Sequence, residues 1–130
     1  MRPVRGIALL GVAYALAACG ASPSEQVQAK LQQFAHAVAA RRPGVLCQQV
    51  LGPALVARFT AAGLSCERAL TTFVDSVQDP TLSIARVTIN GHQASAVVLT
   101  SARGQRASLE SVQLTDTAGG WRLTSLASPR

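Results

Sequence analysis

The sequence has few of the side chains on which acid–base and metal chemistry depend. Its 130 residues include six acids, two histidines, one tyrosine and one lysine, and aromatic residues make up only 4%. The Gly-x-Ser-x-Gly, His-Glu-x-x-His and P-loop patterns are absent, so none of these catalytic or phosphate-binding sites is predicted. The histidines, His36 and His92, do not have the spacing of a metal-ligand pair. We therefore expect neither a metal nor another cofactor.

The positions of the six acids favour structural roles over catalysis. Four lie where helix starts or turns are predicted, positions at which carboxylates are favoured: Glu25, Glu67, Asp79 and Asp116. Asp75 and Glu110 have no such explanation, and we expect them on solvated faces, as we do both histidines. No catalytic residue is assigned. An enzyme would need Asp75 or Glu110 inside a cavity beside a hydrogen-bond donor.

Positive charge exceeds negative charge without forming a cluster. The formal net charge is +6 at pH 7, but the arginines are scattered along the chain and few aromatics lie among them. A nucleic-acid surface typically has a clustered basic stripe, so no nucleic-acid partner is predicted. Weak attraction to an anionic membrane surface is the expected consequence of the excess charge.

The first residues have the organisation of an export signal. Arg2 and Arg5 precede an uncharged apolar run over 6–17, which is shorter than the roughly 20 residues of a membrane span. The run ends in Leu16-Ala17-Ala18-Cys19, which resembles the lipobox of bacterial lipoproteins. The resemblance implies cleavage before Cys19 and attachment of a diacylglycerol to its thiol.

This resemblance divides the chain into a signal peptide, 1–18, a lipidated tether, 19–24, and a folded domain. The export signal would carry the mature chain across the membrane, and two acyl chains suffice for stable anchoring. We therefore expect the mature chain on the extracytoplasmic face of the cell membrane or envelope. The alternatives are an ordinary cleaved signal peptide without lipid and a core helix with a buried Cys19.

Lipidation of Cys19 would leave Cys47 and Cys66 as an even pair. In an oxidising compartment we expect them to form a disulfide, which would stabilise the fold by roughly 3 kcal/mol on the loop-entropy model. Two unpaired, buried thiols are the alternative. A zinc site would need two further ligands, and only the two histidines are available.

Helical periodicity runs from Ser22 to Asp79. Ser22 or Ser24 is predicted to cap a first helix that reaches about Arg41 and is stopped by Pro43-Gly44. A short helix is predicted over 45–51, another turn or two after Gly52-Pro53, and a last helix capped by Ser65. The apolar stripes of the first and last helices are Val27, Leu31, Phe34 and Val38, and Cys66, Leu70, Phe73, Val74 and Val77.

From Leu82 the apolar period changes to two, which predicts an antiparallel meander. A register slip between Ile84 and Val87 indicates a bulge, and Asn90-Gly91 predicts a type I′ hairpin turn. Further turns are predicted at 103–105 and 116–120. The predicted fold class is α+β, with N-terminal helices packed on a curved antiparallel sheet of about four strands.

The order and spacing of several motifs is similar to that of the nuclear-transport-factor-2-like superfamily, in its branch of small extracytoplasmic lipoproteins. The motifs are the first helix with Val27, Phe34 and Val38, Leu46-Cys47, Cys66 before a helix, "INGHQASA" at 89–96 and "GGWRLTSL" at 119–126. The resemblance covers about 25–127 and implies a cone, in which helices pack into a strongly bent sheet, often around a pocket. The superfamily contains isomerases, cyclases and dehydratases but also members that only bind, so the fold does not decide the function.

The implied pocket has candidate lining residues at inward-facing positions: Phe34, Val38, Phe73, Ala96, Val98, Val112, Leu114 and Trp121. Because acid–base groups are scarce, we expect a lipid-anchored, non-enzymatic module that binds a small apolar or amphipathic ligand. The alternative is a structural or protein-interaction lipoprotein of the envelope whose cone is filled by side chains. An apolar cavity of several hundred Å³ would favour binding.

Overall fold

The computed structural model describes residues 20–125. The helical half contains α1 (Pro23–Ala39), α2 (Pro43–Val45), a π-helix (Leu46–Val50), α3 (Pro53–Ala61) and α4 (Cys66–Ser76). Four strands follow, β1 (Thr81–Asn90), β2 (Gln93–Ala102), β3 (Gln105–Thr117) and β4 (Gly120–Leu123), and they form one antiparallel sheet in chain order. The predicted α+β architecture is confirmed. The predicted signal peptide and the lipidation site Cys19 lie outside the described residues.

Helix α1 begins at a serine cap, as its sequence predicts. The hydroxyl of Ser22, not that of Ser24, accepts a hydrogen bond from the backbone N–H of Glu25 at 3.2 Å. The stripe residues Val27 and Leu31 are completely buried. The helix ends at Ala39, two residues before the predicted end, because Arg41 adopts a left-handed backbone with φ 54°.

The second helical segment differs from the prediction in its start and in its type. Pro43 does not only stop α1: it occupies the first turn of α2, where a residue without a backbone N–H is tolerated. The segment then widens into a π-helix, closed by a 2.8 Å hydrogen bond from the N–H of Leu51 to the carbonyl of Leu46. This wider turn buries both Leu46 and Val50 completely.

A disulfide joins the π-helix to the start of α4. Cys47 and Cys66 are bonded with their Cα atoms 6.0 Å apart. The hydroxyl of Ser65 caps α4 by accepting the N–H of Arg68 at 3.2 Å. The predicted pairing of the two cysteines is therefore present in the structure.

The sheet has the predicted bulge, but its first hairpin turn differs from the prediction. The β1–β2 register shifts between Ile84 and Arg86, as expected. Asn90 pairs with Gln93, so the central residues of the turn are Gly91 and His92 rather than Asn90 and Gly91. Gly91 has φ 62°. His92 does not have a positive φ, whereas a type I′ turn needs one at both central residues. The turn therefore has the φ pattern of type II′, and the type I′ prediction is wrong.

The helices cover the concave face of the sheet, and the sheet has two distinguishable ends. The end that carries the start of α1, the Gly91-His92 turn and the β3–β4 turn is called the proximal end. There the indole of Trp121 bonds to Gln26, and the N–H of Asp116 bonds to the carbonyl of His92. The distal end carries the start of β1 and the β2–β3 hairpin. The buried core occupies the space between α1, α4, the π-helix and the sheet.

Candidate functional site

A cavity of about 260 Å³ lies between the helices and the distal half of the sheet. The C-terminal half of α1, the end of α4, the start of β1 and the facing parts of β2 and β3 enclose it. Most of the wall is apolar, and the helices contribute Leu31, Phe34, Val38 and Phe73 to it, with Val77 directly after α4. Phe73 is 39% exposed, whereas Cys66, Leu70 and Val74 of its predicted stripe are buried, because its side chain lines this space instead of the core.

Five of the eight predicted lining residues contact the cavity: Phe34, Val38, Phe73, Val98 and Val112. The other three, Ala96, Leu114 and Trp121, are buried in the core instead. They lie nearer the proximal end, where the first half of α1 and the π-helix fill the concave face. Their assignment to the pocket is therefore corrected: the alternation predicted which side they face, but not that the space there is filled.

Strand β3 supplies a polar wall to the cavity. Arg106, Ser108 and Glu110 occupy alternate positions, which point to the same face of a strand. The hydroxyl of Ser108 donates a hydrogen bond to Oε1 of Glu110 at 3.0 Å. Across the sheet, Oγ1 of Thr100 lies 3.5 Å from the Ser108 hydroxyl. The cavity thus has one polar strand wall facing apolar helices.

The solvated position predicted for Glu110 is wrong. Glu110 is half-buried and lines the cavity, directly opposite Val98 of β2. A signal for this placement was present in the sequence, since Glu110 lies two residues before the inward-facing Val112 and has the same strand parity. The shared parity was missed because an acidic side chain was assigned to solvent by its chemistry alone.

The other candidate acid and the two histidines are at the surface, as predicted. Asp75 is exposed and lies 3.7 Å from Nη1 of Arg41. His36 is exposed on α1, and His92 lies in its hairpin turn with Nδ1 3.8 Å from Oδ2 of Asp116. These groups do not line the cavity, so Glu110 is the acid that the fold brings into it.

The mouth of the cavity is at the distal end of the sheet. Gln105 and Arg106 follow the Arg103-Gly104 turn, line the cavity and are exposed to solvent. On an extended strand, four residues span about 13 Å, which places Arg106 well outward of Glu110. Within residues 20–125, no cationic side chain lies within 4.0 Å of the Glu110 carboxylate.

Lys30 forms a second polar centre, outside the cavity. Its ammonium donates hydrogen bonds to Oε1 of Gln33 at 2.8 Å and to the carbonyl of Gln49 at 2.9 Å. Desolvation, with a smaller repulsion from Arg122, lowers the pKa of Lys30. The side chain ties α1 to the π-helix, which is a structural role.

Across residues 20–125, no three histidine, cysteine or acidic side chains come together in a way that would hold a metal ion. Over the same range, no helix combines the length and hydropathy required to cross a bilayer.

Comparison with solved structures identifies the architecture. A protein of unknown function from Silicibacter pomeroyi, described as nuclear-transport-factor-2-like, superimposes with a TM-score of 0.58 over 82% of this chain and 94% of its own, at 13% identity. The chain has the nuclear-transport-factor-2-like fold. A protein from Streptomyces avermitilis, provisionally named a dehydratase of that family, matches at TM-score 0.58 and 14% identity, covering 83% of this chain and 96% of its own.

A third nuclear-transport-factor-2-like protein of unknown function, from Shewanella baltica, matches with a TM-score of 0.51 at 16% identity, over 82% of this chain and 94% of its own. No protein-family model and no curated protein matches the sequence significantly. Identities this low show a shared fold and leave the function to the site.

Proposed function

We propose that this protein is a lipid-anchored, extracytoplasmic module that binds a small amphipathic molecule in its cone. The observation that carries the proposal is the two-sided cavity, in which apolar side chains of α1 and α4 face the polar β3 wall of Ser108 and Glu110. Ligand sites typically combine a largely apolar lining with a few placed polar groups. The cavity, at about 260 Å³, is slightly smaller than most ligand pockets, and its presence favours binding of a small ligand over a cone filled by side chains.

The volume limits the part of a ligand that the cavity can bury. At about 30 Å³ of liquid volume per water molecule, the cavity corresponds to about nine waters. The buried part is therefore on the order of ten non-hydrogen atoms. A purely apolar molecule of that size would remove water from Glu110 and Ser108 without replacing their hydrogen bonds, which is costly. An amphipathic molecule avoids that cost.

The anchor rests on the sequence and on the disulfide. The lipobox-like tetrad ending at Cys19 predicts lipidation, and the Cys47–Cys66 bond is compatible with an oxidising, extracytoplasmic compartment. Only three residues separate Cys19 from the start of α1 at Pro23. With 17 residues at 1.5 Å rise each, α1 is about 25 Å long. An anchor at the proximal end therefore leaves the cavity mouth directed away from the bilayer, and the ligand enters from the aqueous side.

The test is mass spectrometry of the protein isolated from its own host. The denatured chain should start at Cys19 with a diacylglycerol mass, and the native protein should retain a small molecule. Ala35→Leu, which adds volume at a residue lining the cavity, should abolish retention. Ala29→Leu, on an exposed position of the same helix, is the matched control and should keep it. An unlipidated chain would refute the anchor, and equal retention by the Ala29 and Ala35 variants would refute the cavity as the site.

One observation favours a second function, acid–base catalysis on a small carbonyl compound. Glu110 lines the cavity and accepts the Ser108 hydroxyl on Oε1 only, so its Oε2 atom can take a proton from a bound substrate, as a general base must. One of the structures of the same fold is provisionally named a dehydratase. Such an enzyme should exchange the protons next to the carbonyl of a small ketone in D₂O. Exchange that Glu110→Gln abolishes would support it, and exchange at the uncatalysed rate would exclude it for the ketone used.

A further inference from the structure

Glu110 is the acidic side chain in the wall of the cavity. Its carboxylate accepts one hydrogen bond, from Ser108 to Oε1, and the structure shows no donor to Oε2 from residues 20–125. Among those residues, no side-chain oxygen is both completely buried and without a partner. The Oε2 atom is therefore reachable from the cavity and is free to accept a hydrogen bond from a ligand.

A ligand that covers Glu110 with hydrocarbon would remove water from the carboxylate without replacing its hydrogen bonds, which strongly disfavours binding. An anionic head group placed there would add charge repulsion. A positively charged donor instead replaces the lost water with a charge-assisted hydrogen bond. The rings of Phe34 and Phe73 line the same cavity, and aromatic faces also attract cations. Arg106 lies outward, at the mouth, where water screens its charge.

We propose that the cavity binds a small amine with an apolar body, and that the ammonium group is bound by the Glu110 carboxylate while the hydrocarbon contacts α1 and α4. This assignment rests on the proposed binding function and narrows it to one ligand class. It predicts an order among ligands of equal size: ammonium binds most tightly, alcohol less tightly and carboxylate least.

The test uses three six-carbon probes, hexan-1-amine, hexan-1-ol and hexanoate. The full protein isolated from its host is reconstituted in nanodiscs, and empty nanodiscs serve as the blank for partitioning into lipid. Dissociation constants are measured by ligand-observed NMR titration. The amine should bind roughly tenfold more tightly than the alcohol, and hexanoate more weakly than both. Glu110→Gln should bring amine and alcohol to within about twofold. Asp75→Asn, at an exposed acid outside the cavity, should leave the order unchanged.

The outcomes separate this inference from the function on which it rests. Equal binding of the three probes, or tightest binding of hexanoate, overturns the amine assignment and leaves a binding cavity. Binding of none of them overturns the binding function as well. A tenfold preference that survives Glu110→Gln overturns the role of Glu110. If Glu110→Gln does not fold, the order of affinities measured on the unmodified protein still tests the amine assignment. Ala35→Leu then tests the cavity as the site, because it should weaken binding of all three probes without changing the carboxylate.

Discussion

The indole N–H of Trp121, in the last strand, donates a hydrogen bond to Oε1 of Gln26 near the start of α1, at 3.2 Å. The two residues are 95 positions apart, so this contact closes the proximal end of the cone by joining its first helix to its last strand. Trp121 is 3% exposed and is the sole tryptophan of the chain. Its fluorescence therefore reports on this junction.

Gln26→Ala is expected to lower the free energy of unfolding by about 1–2 kcal/mol, because it leaves the buried indole N–H without its partner. Urea unfolding followed by Trp121 fluorescence measures the change. Gln32→Ala, at an exposed glutamine of the same helix, serves as the control and should change stability by less than about 0.5 kcal/mol. Equal effects of the two substitutions would show that the Trp121–Gln26 bond contributes nothing.

Loss of the Cys47–Cys66 bond is expected to cost about 3 kcal/mol, since it closes a loop with a sequence separation of 19. For a domain of this size, that corresponds to a fall in Tm on the order of 10 °C or more. The measurement is thermal unfolding of the native protein with and without reductant. The double variant Cys47→Ser/Cys66→Ser should melt at the reduced temperature in both conditions, and a Tm insensitive to reductant in the native protein would contradict the bond.

Lys30 should make stability depend on alkaline pH. Its pKa in the folded protein is lowered from 10.5, so the unfolded chain binds more protons in the interval between the lowered value and 10.5. The free energy of unfolding therefore rises with pH over that interval. Residues 20–125 contain no tyrosine and no other lysine, so few other groups titrate there. The test is to measure Tm from pH 8 to 10.5, where Lys30→Arg should remove the rise in Tm. A rise of the same size in that variant would show that another group causes it.

Gly52 is packed closely against the backbone of β4. Its N–H donates a hydrogen bond to the carbonyl of Leu123 at 2.8 Å, and a Cβ on Gly52 would lie 3.1 Å from that same oxygen. Gly52→Ala is therefore expected to destabilise the protein by about 1–3 kcal/mol, as measured by chemical denaturation. Gly20→Ala, whose Cβ would meet nothing within 4 Å, is the control. A Gly52 variant as stable as the control would show that β4 moves aside without cost.

The parts of the fold that depend on neighbouring residues were predictable. The serine caps of α1 and α4, the bulge after Ile84 and the inward parity of Val112 and Leu114 were all found from local patterns. The π-helix was not, because the extra residue in its turn is accommodated through the burial of Leu46 and Val50 against other elements. The turn at Gly91 was misassigned by one residue, because pairing of Asn90 with Gln93 extends the ladder.

The candidate site was predicted only in part, and for a related reason. Strand and helix periodicity correctly predicted that Phe34, Val98 and Trp121 face inward. Periodicity contains no information on how far a helix stands from the sheet, so it could not separate Val98, which borders the cavity, from Trp121, which lies in filled core. Glu110 was assigned to solvent by residue type, although its parity with Val112 indicated the concave face.

By itself, the sequence determined the succession of helices and strands and the alternation of faces along each strand. These properties depend on spacing, caps and turns within a few residues. Only the tertiary structure decided that a cavity exists at the distal end and that the Glu110 carboxylate opens into it. A cavity is the space left when elements distant in sequence pack against one another, and no local pattern specifies how completely they fill it.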